Sequence, residues 1–335
     1  MPALRKIDAS MPPGEAAAAT WKLRLHAWWE GYELPEAPPP APTKVRLPPR
    51  PLAKPGPAAA ASGNPDSPLN KADLRVLRAL WGGDFVTPGD GEHVIELVKP
   101  LGLNPKMSML DFGAGIGGPA RAMAKEFGVW ITGLEPSRDF VQAGMELSAG
   151  AGMAKRVVIS GVETEKPVLP ERRFDCIFAK ESLGVVPDKD RLFAAMSKSL
   201  KPGGHVLLTD YVLTREDGDQ ENAAWVEQNR AALGIGHPWR QSELHRAMDE
   251  AGLDLRINED ITDLYMKLVL GRWQLWESFA RDLDDGSADA PERMQLLLDK
   301  AKLWTSRMAA LRASDIRIYR FHAIKKPTQK LMSNW

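Results

Sequence analysis

From residue 95 onward the chain switches repeatedly between two hydrophobic periods. Short apolar runs occur at 108–112, 129–133, 156–160, 174–179, 205–210, 254–258 and 316–323. Runs of that length, rich in Val, Ile, Leu and Phe, read as strands. Amphipathic stretches separate the first five. This alternation predicts an α/β fold: a Rossmann-like, doubly wound, mostly parallel seven-stranded sheet with helices on both faces. The connection before the last strand is long. Val269, Trp273, Trp276, Ala280 and Leu283 follow a 4-3-4-3 spacing, as do Leu297, Ala301, Trp304, Met308 and Leu311. They predict a pair of inserted helices, parted by residues 286–291, whose tryptophan stripes lie in the core.

The first 68 residues read differently. Residues 35–57 contain ten prolines, which fix φ and remove amide donors, so an extended linker is expected there. Before it, Trp21, Leu25, Trp28, Trp29 and Tyr32 share one face of a short helix within residues 20–34. An isolated helix of that length is unstable in water. Three docking sites suit its aromatic face: the chain's own domain, a partner protein, or a membrane interface. The expected organisation is therefore 1–34, a tail with an aromatic amphipathic helix; 35–68, a Pro-rich linker; and 69–335, one folded domain.

Composition narrows the function. The 335 residues carry 44 basic and 44 acidic side chains, which gives no support to binding along a nucleic-acid backbone. A single cysteine, Cys176, excludes an intramolecular disulfide framework and a four-cysteine zinc site, and its apolar surroundings predict a core residue. No run approaches the length of a membrane span, and the N-terminus lacks the apolar core of a secretory signal. A cytoplasmic enzyme is expected, with peripheral membrane contact through residues 20–34 as the variant.

The chemistry concentrates in MLDFGAGIGGPARAMAKEFG, residues 109–128. An apolar strand runs into Gly113, Gly115, Gly117 and Gly118, and a helix follows. Such a loop lets a ligand approach the backbone closely. Dinucleotide-binding proteins share the pattern. Asp111, at the strand end, adds a carboxylate suited to a cationic ligand, for which a pyrophosphate has little use. Glu135, followed by Pro136, ends the second strand, where an acid can accept both hydroxyls of a ribose.

Loop, second-strand acid and the KPGG turn at 201–204 together resemble class I S-adenosylmethionine-dependent methyltransferases over residues 69–327. Residues 75–98 are similar to the segment before the loop in phosphoethanolamine N-methyltransferases, which covers the cofactor. Trp81, Gly82, Phe85, Val86, Thr87 and Gly89 fit it and Asp90 departs. Residues 115–124 and 238–262 resemble sterol and small-amine methyltransferases equally. Val185 stands where both groups usually carry a histidine, and no tyrosine lies between positions 33 and 210. The catalytic Tyr/His pair of the phosphoethanolamine enzymes is therefore not carried over.

The resemblance implies S-adenosylmethionine as cofactor and a small-molecule or lipid-precursor acceptor, an amine above all. It places Asp111, the four glycines, Glu135, Pro136 and, on the adenine side, Glu163 around the cofactor, with Phe85 and Thr87 closing over it. Glu181, after the fourth strand, is the candidate to orient the amine or take its proton. Tyr211, after the fifth, offers a ring to a cationic headgroup. His237 is a candidate base. The alternative function is a catalytically inactive cofactor-binding scaffold that recruits a partner through its N-terminal helix.

Overall fold

The computed structural model describes residues 66–214 and 229–326. The expected aromatic helix and the linker through residue 65 lie outside the described residues.

Five strands come first, alternating with helices as the hydrophobic pattern predicts except that no helix joins the third to the fourth. They are β1 (Ser108–Phe112), β2 (Trp130–Glu135), β3 (Val157–Gly161), β4 (Phe174–Lys180) and β5 (Leu200–Leu213). Later come β6 (Trp239–Arg240), β7 (Leu253–Asp260) and β8 (Ile316–Lys325). The sheet runs β3-β2-β1-β4-β5-β8-β7. The first five strands pair in parallel, while β8 pairs antiparallel to both β5 and β7. Among the described residues the sheet has eight strands rather than the expected seven, because Trp239 and Arg240 pair with the end of β5 outside the main path. Between the pairs Phe174–Leu200 and Cys176–His205, β4 advances two residues and β5 five, so the KPGG stretch bulges out of the ladder.

Period-two alternation divides the core. Met109, Cys176, Phe178 and Leu207 face α2 (Gly91–Val98) and α3 (Gly118–Phe127). Leu110, Ile177, Ala179, Val206 and Leu208 face α5 (Lys189–Ser199) and α6 (Gln241–Glu250). Cys176 is buried as expected, its thiol pushed up to about 12 by burial. Between β2 and β3 lies α4 (Arg138–Gly150), packed through Ala143 against Ile116 of the glycine loop.

Before β8 the structure has three helices, not two: α7 (Thr262–Trp273), α8 (Trp276–Leu283) and α9 (Ala290–Ala313). The stripe assigned to one helix continues across a break at Gln274–Leu275, because α7 and α8 bury successive parts of it in the same core. Trp273, Trp276 and Trp304 are all buried there, together with α1 (Ala72–Trp81). Trp81 meets Trp304 edge-on at 4.9 Å, and the Arg272 side chain donates to the carbonyls of Leu80 (2.8 Å) and Ala79 (2.9 Å), closing the C-terminus of α1.

Arg293 fastens the α8–α9 corner. It is fully buried, with Nε and Nη2 donating to the Leu283 carbonyl at 2.9 and 2.6 Å and Nη2 also reaching Asp285 at 2.6 Å. Arg293→Met leaves that carbonyl without its donors, a cost of about 2 kcal/mol. Thermal unfolding is expected to shift down by about 4–8 °C; an unchanged midpoint would show that water replaces the guanidinium without cost.

Candidate functional site

In an open α/β sheet, ligands bind beyond the C-terminal ends of the strands where the strand order reverses. Here that point lies between β1 and β4. Their ends bring most of the candidate residues together.

Asp111, on β1, is buried and its Oδ2 has no hydrogen-bond partner among the described residues. Burial pushes its carboxyl up to about 7; the neighbouring Glu135 adds to the shift and Lys180 opposes it. Beyond it the chain turns, and the Gly113 and Ala114 amides donate to the Leu134 carbonyl at 2.8 and 3.0 Å, which fastens the loop to β2. Glu135 ends β2, where its carboxylate accepts from the amides of Gly115 and Ser137, both at 3.0 Å. Burial raises its pKa against those two bonds. Gly117 caps α3 and Gly118 opens it.

The segment 82–90 passes over this loop as a strap. A Cβ on Gly118 would lie 2.2 Å from the Asp84 carbonyl oxygen and 3.3 Å from Phe85. Glycine is required where the two backbones approach that closely. Arg121, on α3, ties the strap down through an ion pair to Asp84 at 2.9 Å.

Glu181 follows β4 with φ 46°. A non-glycine residue in the left-handed region stores about 1–2 kcal/mol of strain, a cost that recurs at functional sites. Its amide donates to the Thr209 carbonyl at 2.7 Å, and its carboxylate accepts from Thr209 Oγ1 (2.8 Å) and Lys180 Nζ (2.7 Å). Next to it, Ser182 Oγ donates to the Phe112 carbonyl at 2.8 Å, joining the ends of β4 and β1. Asp210 accepts from the amides of Leu183 (2.8 Å) and Tyr211 (2.7 Å), which secures the turn after β4 to β5. Burial pushes Asp210 up and the nearby Lys189 down.

Tyr211 sits close enough for the Glu181 charge to raise its pKa, though burial is the main cause of its rise to about 12. Its hydroxyl pairs with that of Tyr265 at 2.8 Å, and the cation over its ring is the Arg307 guanidinium, 5.2 Å from the centroid. The ring face expected to meet a ligand thus meets an internal cation. His237 docks by its backbone: its amide donates to Gly184 at 2.8 Å and its carbonyl accepts from Lys189. Partial burial and the charges of Lys189 and Arg230 lower its pKa. It stands beside the turn that carries Val185. Thr87 lies on the strap and accepts from Lys180. Pro136 and Glu163 are exposed beyond β2 and β3, outside this hydrogen-bonded set.

Several participants carried no signal of their own in the sequence. Lys180 is one apolar-strand residue away from Glu181, yet its partners Thr87 and Pro88 lie about ninety residues earlier. Asp84, Thr209 and Arg307 likewise matter only through long-range contacts.

A family model described as a methyltransferase domain matches residues 91–256. Phosphoethanolamine N-methyltransferase 1 of Zea mays is 30% identical over 197 residues, covering 58% of this chain and 38% of its own. Sterol 24-C-methyltransferase of Yarrowia lipolytica is 26% identical over 183 residues, covering 54% and 48%. The chain thus spans less than half the length of these two curated relatives. Among solved structures, Haemonchus contortus phosphoethanolamine N-methyltransferase 2, in complex with phosphomonomethylethanolamine and S-adenosylhomocysteine, superposes with a TM-score of 0.64 at 22% identity, over 78% of this chain and 58% of that one. That likeness carries the fold. Over residues 91–256, with its glycine loop and sheet order, the chain is similar to methyltransferase domains, and phosphoethanolamine and sterol methyltransferases are among the proteins it resembles.

Proposed function

We propose that the chain transfers a methyl group from S-adenosylmethionine to a small-molecule acceptor of the amine type. The observation that carries this reading is the buried, unpartnered Oδ2 of Asp111 at the mouth of the glycine loop. A buried polar atom without a partner costs about 1–3 kcal/mol, and a cationic ligand there would relieve it. The other residues fit the same ligand. Glu135 uses two of its roughly four acceptor sites on backbone amides, which leaves room for the hydroxyls of a ribose. The phosphoethanolamine relatives support an amine acceptor.

The bound sulfonium cofactor supplies an activated methyl group. The chain's own residues do the rest. Asp111 and Glu135 hold and orient the ligand in the loop. Residues 82–90 cover it and exclude water. An amine attacks only when neutral, so a carboxylate must orient it and receive its proton. Glu181 stands at the edge of the next strand to do so, fixed by Lys180 and Thr209.

Mass spectrometry tests this with methyl-labelled S-adenosylmethionine, offered with phosphoethanolamine, sarcosine and fractionated polar and lipid extracts. Label in a discrete small molecule supports the reading. Cofactor binding with no transfer to any fraction would favour the inactive scaffold.

Asp111 also predicts a pH dependence. Its pKa is raised from the usual carboxylate value to about 7, so the ligand-free protein carries it protonated below that pH. The stabilisation this gives is present at low pH and is lost as pH rises through about 7. A cationic ligand needs the ionised form. Affinity for S-adenosylmethionine is therefore expected to rise about tenfold from pH 6 to pH 8, with proton release on binding near pH 6. Calorimetry in two buffers of different ionisation enthalpy measures both. Asp111→Asn should bind more weakly and lose the pH dependence; a variant that kept it would assign the proton to another group.

A further inference from the structure

Lys180 is the last residue of β4, and its side chain is 3% exposed. Its ammonium donates to Thr87 Oγ1 at 2.8 Å, to the Pro88 carbonyl at 2.6 Å and to Glu181 Oε2 at 2.7 Å. An ammonium has three protons, and here each has an acceptor. Two of these acceptors belong to the strap that crosses the glycine loop. The third is the buried carboxylate of Glu181, the proposed proton acceptor. No water is needed to complete the set, so the strap and Glu181 share one buried charge.

Raising the strap removes two of the three acceptors. A buried ammonium left with a single partner must be rehydrated or must draw Glu181 after it. Glu181 is poorly placed to resist, because its φ of 46° is already strained and its other side-chain bond is to the Thr209 hydroxyl. The strap, in turn, packs directly on the loop's end, where a Cβ on Gly118 would lie 2.2 Å from the Asp84 carbonyl oxygen.

We infer that Lys180 is a positioning residue that couples closure of residues 82–90 over the cofactor to the placement of the Glu181 carboxylate. This rests on the methyl-transfer reading for its consequence and on the three hydrogen bonds for its geometry. Coupling of this kind is reciprocal. A ligand seated under the strap fixes Glu181 for the amine, and an amine on Glu181 holds the strap down. The acceptor then binds best after the cofactor.

The test uses the full chain and the variants Lys180→Met, Thr87→Val and Thr87→Ser. Valine keeps the shape of threonine and removes the acceptor oxygen; serine keeps the oxygen and removes the methyl. Hydrogen exchange of residues 82–90 is followed without ligand and with S-adenosylhomocysteine, and kcat and KM are measured with the acceptor that the labelling experiment yields. Lys180→Met and Thr87→Val are expected to exchange faster at 82–90 and to lose about tenfold in kcat/KM for the acceptor. Thr87→Ser should recover most of the Thr87→Val loss. Wild-type exchange and kinetics in Lys180→Met would overturn the coupling. So would Thr87→Ser failing as badly as Thr87→Val, since packing and not the hydrogen bond would then matter. If the wild-type protein does not bind S-adenosylhomocysteine, the methyl-transfer reading fails, and the ligand-free exchange of Lys180→Met still decides the geometric part.

Discussion

Glu181→Gln is expected to slow methyl transfer by about 100-fold or more while weakening S-adenosylhomocysteine binding far less, through the strap alone. The carboxylate accepts from Lys180 Nζ on one oxygen and from Thr209 Oγ1 on the other. An amide has one oxygen and a donor in place of the second. Either the lysine or the threonine then faces an NH2 group, and the side chain can no longer take a proton from an incoming amine. The cofactor cradle is built on β1 and β2 from Asp111, the glycine loop and Glu135, which the substitution does not touch. Rate and binding therefore separate. Initial rates with labelled methyl donor, set beside calorimetry, read the two effects. A rate unchanged from wild type would move proton transfer away from Glu181 and toward His237, whose pKa is lowered and whose amide docks on the same turn.

The parts of this site that the sequence shows are those made locally. Asp111, the glycines and Glu135 sit within one strand–loop–helix–strand unit, where a tight turn and close backbone approach dictate residue type. The strands were equally legible, because the central ones are buried and read as apolar runs: β1 spans the residues its pattern predicts, β2 and β3 begin one residue later, and the others extend at one or both ends. Contacts between distant segments left no such trace. Lys180 looks like the polar end of a buried strand until Thr87 and Pro88 are brought to it. The break between α7 and α8 has neither Gly nor Pro, and a hydrophobic stripe crosses it without interruption, so two helices read as one. The pairing of β6 to β5 involves two residues, too few for any periodicity. Tyr211 shows the converse error. Read as following the fifth strand, it implies a ring open to a cationic headgroup, but it lies within β5, and Arg307 of α9, ninety-six residues later in the chain, sits over its ring.

The second large effect is expected from Gly113→Ala, and it reaches both halves of the site. Gly113 has φ +75°, a region that costs alanine about 1–2 kcal/mol. An added Cβ would also lie 2.2 Å from the Ser182 Cβ and 2.8 Å from its Oγ. Ser182 cannot yield without giving up its bond to the Phe112 carbonyl, and its backbone carries the neighbouring Glu181. Overpacking of this kind adds about 1–3 kcal/mol. The variant should therefore unfold at lower denaturant concentration by about 2–5 kcal/mol and lose both S-adenosylhomocysteine binding and methyl transfer. A double-mutant cycle with Ser182→Gly divides the causes. Removing the serine side chain removes the clash but leaves the strained φ. If the clash dominates, the two substitutions together cost less than their sum by about 1–3 kcal/mol, and cofactor binding partly returns. Additive costs would mean that backbone strain alone excludes a side chain at Gly113. The contact with Ser182 would then be incidental, and the ends of β1 and β4 would be joined through the Ser182–Phe112 hydrogen bond and not through the packing of the loop.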